Sequence, residues 1–152
     1  MKFKEALEND IIESGDVIAW TKDGVNIDHV ALAYVPNKDN RWLFQTKKYK
    51  GVHKTEMDSE VPFFVIKSNV IWKKKLTDIC NYLVGTRYGY VQHFLTRFKM
   101  NRPLGGLTNS TFVAMLLNTA GYRLEFVGLT PTILVSELLG LGRKSIEITD
   151  DD

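Results

Sequence analysis

Cysteine is nearly absent: Cys80 is the single one, so no intramolecular disulfide forms, and no cysteine and histidine spacing suits a zinc site. A reducing compartment fits. No run of about 18 apolar residues is there to span a bilayer. The first ten residues, Met1 to Asp10, lack the apolar core of a signal peptide, so the expectation is a cytoplasmic protein. Basic stripes rich in arginine or interleaved with aromatics are also missing. The net charge of +2 includes the short runs Lys47-Lys48-Tyr49-Lys50 and Lys73-Lys74-Lys75, which read as solvated surface and not as a nucleic-acid site. His29, His53 and His93 are too scattered for a metal cluster, and neither a metal nor another cofactor is expected. Internal repeats and low-complexity linkers are lacking as well.

What remains is an ordinary globular composition. The chain has 152 residues, 44% hydrophobic and 25% charged, which suits a single domain over residues 1–152 with a core of its own. Phe3, Leu7 and Ile11 recur every fourth residue and predict a short amphipathic helix that stops at Ser14-Gly15-Asp16. Val17 to Trp20 and His29 to Val35 are rich in β-branched and aromatic residues, with Lys22-Asp23-Gly24 supplying turn chemistry between them. Further strands begin at Trp42 and at Pro62.

Helices then take over. Ser68 or Asn69 is a cap for a helix whose apolar positions are Trp72, Leu76, Ile79, Cys80 and Leu83, with Gly85 suited to end it. Thr108 or Asn109 caps a second, carrying Phe112, Val113, Leu116 and Leu117 and closed by Gly121. Thr130 followed by Pro131 opens a third that runs through Leu139. Strands first and helices afterwards argue for an α+β fold, an antiparallel sheet packed against helices.

Two stretches carry chemistry. Gly15-Asp16-Val17-Ile18-Ala19-Trp20 with Asp28-His29-Val30-Ala31-Leu32-Ala33-Tyr34 resembles the strand pair of NlpC-like papain-fold hydrolases. In that family the histidine of this motif is the catalytic base, and a polar residue near the start of the next strand orients it. Those positions are His29 and Gln45 here, and Gly51-Val52 resembles the turn that follows.

Gly85-Thr86-Arg87-Tyr88-Gly89-Tyr90 resembles the family's approach to its nucleophile helix, which makes Tyr88 and Tyr90 candidate substrate-binding residues. The helix beginning near Asn109-Ser110-Thr111-Phe112-Val113 comes after the sheet. Most family members have the reverse order, so the resemblance is to the circularly permuted branch that includes lecithin retinol acyltransferase-like proteins. It covers roughly residues 14 to 121.

Residue chemistry agrees. His29 and Gln45 are both odd-numbered, so any antiparallel register that pairs odd with odd puts them on one face. A polar partner on one imidazole nitrogen leaves the other to take a proton from a nucleophile. A helix start offers free amides and a positive dipole end to a thiolate or oxyanion.

The departure from the family is at the nucleophile. Asn109 or Ser110 stands where cysteine is expected, and the same two residue types are favoured as plain helix caps. Three explanations stay open: a serine hydrolase using Ser110, a cysteine enzyme whose nucleophile was exchanged, or a natural pseudoenzyme. The resemblance implies a peptide or acyl substrate, cell-wall peptide among them, and a bacterial or phage source.

Overall fold

The computed structural model of the chain describes residues 1–47, 51–57, 62–85 and 108–151. The order of elements is α1 (Phe3–Glu8), β1 (Val17–Thr21), β2 (Ile27–Tyr34), β3 (Trp42–Lys47), β4 (Gly51–Glu56), β5 (Phe63–Ile66), α2 (Lys74–Leu83), α3 (Asn109–Thr119), α4 (Pro131–Gly140) and β6 (Ser145–Ile148). The fold is α+β. One six-stranded sheet, in the order β4-β3-β2-β1-β5-β6, is antiparallel at every ladder.

Both faces of the central strands are covered, which is why Val17-Ile18-Ala19 and Val30-Ala31-Leu32-Ala33 are continuous apolar runs and do not alternate with polar residues. Val17, Ala19, Val30, Leu32, Phe44 and Val52 pack against α2, α3 and α4. Ile18, Ala31, Ala33, Leu43, Phe63 and Val65 meet Phe3, Ala6 and Ile12 on the other side. Helix α3 is buried from Ser110 through Leu117, as expected of a helix apolar nearly all round.

Several boundaries differ from the sequence reading, each for a local reason. Helix α1 stops at Glu8, and Asp10 takes a positive φ of 50°, so Ile11 lies beyond the helix while still reaching the core. Helix α2 begins at Lys74, not near Ser68. The Ser68 hydroxyl, instead of capping a helix, donates to the Gly15 carbonyl at 2.7 Å. Trp72 sits before the helix and ties to it by donating from Nε1 to Thr77 Oγ1 at 2.7 Å. Gly51-Val52, read as a turn, opens strand β4 in full register with β3 from Lys47↔Gly51 to Trp42↔Glu56. Strand β6 was not anticipated; it pairs Ser145 to Ile148 with Ile66 to Phe63.

Other local signals act as the residues suggest. Asp23 organises the β1–β2 turn by accepting from the amides of Asn26 and Val25, both at 2.8 Å, and these bonds pull its carboxyl down to about 2. Thr130 caps α4 with Pro131 in its first turn. Gly85 and Gly121, each one past the C-cap of its helix, have φ of +78° and +117°. The Lys73-Lys74-Lys75 run is exposed, whereas Lys48 to Lys50 lie outside the described residues.

Just before β1, Asp16 is buried at 2% exposure and accepts from Lys67 Nζ at 2.5 Å and from the Glu13 amide at 2.8 Å. Burial pushes its carboxyl above the ordinary value, and the bonds from Lys67 and from the Glu13 and Ser68 amides offset part of that rise.

Candidate active site

Helix α3 owes its starting point to Thr108. The Thr108 hydroxyl accepts from the Thr111 amide at 3.2 Å, and Thr111 Oγ1 accepts from the Thr108 amide at 2.7 Å, a reciprocal capping box. Removing the cap by Thr108→Ala should cost about 1 kcal/mol of stability, read from the denaturation midpoint. With Thr108 as cap, Asn109 is the first helical residue, and its amide and that of Ser110 meet no acceptor among the described residues.

Asn109 then reaches the sheet. Its Nδ2 donates to His29 Nδ1 at 3.0 Å. On the opposite side of the ring, His29 Nε2 donates to Gln45 Oε1 at 2.6 Å, and Gln45 Nε2 passes the chain on to Thr55 Oγ1 at 2.9 Å. The amide roles fix the tautomer. A carboxamide NH2 only donates and a carboxamide oxygen only accepts, so Nδ1 offers its lone pair and Nε2 carries the proton.

Register explains how His29 and Gln45 meet. Strands β2 and β3 pair Leu32↔Phe44, Ala33↔Leu43 and Tyr34↔Trp42, even with even and odd with odd. Among the described residues the ladder stops at Leu32↔Phe44, and toward His29 and Gln45 the two strands are joined through side chains. A register shift between Trp20 and Thr21 opposes Trp20 to His29 and Thr21 to Ile27, leaving Asp28 as the extra residue beside the histidine. The Trp20 ring lies 5.3 Å from the imidazole, tilted by 38°, and limits its rotation.

Of the residues proposed from sequence, His29, Gln45 and Asn109 are therefore brought together. Ser110 is directed elsewhere: it is 1% exposed, its Oγ donates to the Leu129 carbonyl at 3.3 Å, and it lies 3.1 Å from Thr108 Oγ1. Tyr88, Tyr90 and His93 fall outside the described residues. Two neighbours were not anticipated, Thr55 and Trp20, whereas Thr108 is one of the two caps read from the sequence. Thr55 lies on β4 opposite Leu43, two residues from the Gln45↔His53 pair, so it shares their face; once β4 is read as a strand, alternation exposes it.

No family model matches the chain, nor does any curated protein or solved structure. The site therefore rests on its own chemistry. Asn109 Oδ1 is buried and has no hydrogen-bond partner among the described residues. A buried carbonyl left this way costs about 1 to 3 kcal/mol, so residue 109 is not tuned for stability. No group of three or more metal-ligating side chains occurs among the described residues. No helix among them is long and apolar enough to cross a membrane.

Cys80 belongs to α2 and the core, fully buried, and burial pushes its thiol far up. It should resist thiol reagents at pH 8 in the folded protein and react fully in denaturant, which a colorimetric thiol titration reads. Prompt labelling of the native chain would put a reactive sulfur where none is expected.

Proposed function

We propose that this protein is built on the plan of circularly permuted papain-like acyl-transfer enzymes, and that its site engages an amide or acyl group, with Asn109 in the nucleophile's position. In such a site His29 is the base, Gln45 orients it, and the amino end of α3 faces the reacting carbonyl. The observation that carries this reading is the polarity of the imidazole: Nε2 is bound to Gln45, and the lone pair of Nδ1 is aimed at the side chain of residue 109. That is the arrangement a general base needs toward a thiol on the first residue of a helix.

A carboxamide is no nucleophile, because its nitrogen lone pair is delocalised into the carbonyl. With asparagine at 109 the site recognises its ligand without forming an acyl intermediate, so the chain acts as a binding module of hydrolase ancestry. The reading of Ser110 as nucleophile finds less support, since that hydroxyl is buried and committed to Leu129 and Thr108. The substrate class this favours is an amide or ester of a peptide or acyl group, cell-wall peptide being one case.

The test is gain of function. Mass spectrometry after incubation with an activated ester should show no adduct at position 109 in the chain as it stands. Asn109→Cys should give one acyl group on residue 109, and His29→Ala in that background should remove it. Acylation of Ser110→Cys in preference to Asn109→Cys, or of neither, contradicts the proposal.

A further inference from the structure

A cavity of about 580 Å³ lies at the opposite end of α3 from the imidazole, bounded by the segment before α2, the turn after α3 and the segment after α4. Ten helical steps from Asn109 to Thr119 separate the two sites by about 15 Å. Its size suits a small organic ligand, and its chemistry is one-sided. Lys73, Lys75, Arg123 and Arg143 line it, and no aspartate or glutamate is among its described lining residues. Nor do these four make an ion pair with a carboxylate among the described residues.

Arg143 is the residue most clearly in want of a ligand. Its Nε is buried with no hydrogen-bond partner among the described residues. Its guanidinium carbon lies 5.5 Å from the centre of the Tyr122 ring, and Tyr122 is itself held by donating its hydroxyl to the Ser68 carbonyl. A guanidinium braced on an aromatic face has little freedom to lose on meeting an oxyanion. Helix α2 adds to this, since its N-cap Lys73 lies beside the cavity and makes no side-chain cap bond, and although the Leu76 amide donates to the Lys73 carbonyl, those of Lys74 and Lys75 meet no acceptor among the described residues. Exposed apolar side chains complete the rim: Ile71 is 80% and Leu141 58% exposed.

We propose that this cavity is a binding site for a small organic phosphate that carries an apolar group, the phosphate held by Arg143, Arg123 and the two lysines and the apolar part set against Ile71 and Leu141. A dianion answers four unpaired cations better than a carboxylate does, and Arg143 supplies the fork that phosphate oxygens match.

The experiment is a titration of the full chain, followed by amide chemical shifts, with phenyl phosphate, inorganic phosphate and benzoate. Phenyl phosphate should move resonances of residues 69–75, 119–123 and 141–143 and bind tighter than either other probe. Arg143→Gln should weaken it about tenfold or more, the cost of a lost charge-assisted pair. If Arg143→Gln fails to fold, Arg123→Glu at the exposed rim gives the same readout. The proposal is overturned if phenyl phosphate at about 10 mM shifts none of these resonances, if benzoate binds tighter, or if a folded variant binds as the native chain does.

Discussion

In the Asn109→Cys protein, acylation by an activated ester should fall about 10³-fold on His29→Ala and about 10²-fold on Gln45→Ala. The first figure reflects loss of the base. A positioned general base contributes about 10² to 10⁴, and without it the thiol must ionise by itself. The helix start, whose dipole favours the thiolate, supplies what reactivity is left. The second figure reflects misplacement: with Gln45 gone the imidazole persists but nothing on Nε2 keeps Nδ1 aimed at residue 109, and a displaced catalytic group costs about 10². Stopped-flow acylation rates check both. Asn109→Cys itself should change stability by less than about 1 kcal/mol, because losing the bond to His29 is offset by removing the buried Oδ1, which has no partner among the described residues.

Lys67→Met should be among the most destabilising single changes in the chain, by about 3 to 5 kcal/mol at neutral pH, because it leaves the Asp16 carboxylate buried without its cation. For a chain of this size that lowers the thermal midpoint by roughly 10 °C. The pH dependence follows from Asp16, whose folded-state value is already raised by burial above 3.8 and rises further without Lys67. The folded variant then holds a proton that the unfolded chain has released. Its stability should therefore grow as pH falls through the folded value toward the unfolded one, and shrink as pH rises. Adding Asp16→Asn should recover part of the loss and flatten that slope. Equilibrium urea melts across pH would show it, and a variant as stable as the native chain at pH 7 would contradict the pairing.

Much of this was legible from residues. Thr108 and Thr130-Pro131 carry their own capping chemistry, so α3 and α4 begin where local rules put them. The odd numbering of His29 and Gln45 puts them on one face in a register that pairs odd with odd, as β2 and β3 do. What could not be read depended on distant partners. Ser68 has the chemistry of a helix cap, yet its hydroxyl is taken by the Gly15 carbonyl, 53 residues away. Strand β4 hides because Gly51 at φ +75° reads as a turn while its pairing comes from β3. Ser145 to Ile148 is a strand through its ladder with β5. Asn109 and Ser110 are indistinguishable by propensity, and only helical phase, set by Thr108, turns one toward the sheet and the other toward Leu129.

The most direct measurement is the protonation pattern of one ring. Long-range ¹⁵N–¹H correlation spectra of histidine-labelled protein should show the His29 ring proton on Nε2, with Nδ1 acting as acceptor. Gln45→Ala should broaden that pattern into a mixture of tautomers. A proton found on Nδ1, or a ring indifferent to Gln45, would mean that no lone pair is aimed at residue 109.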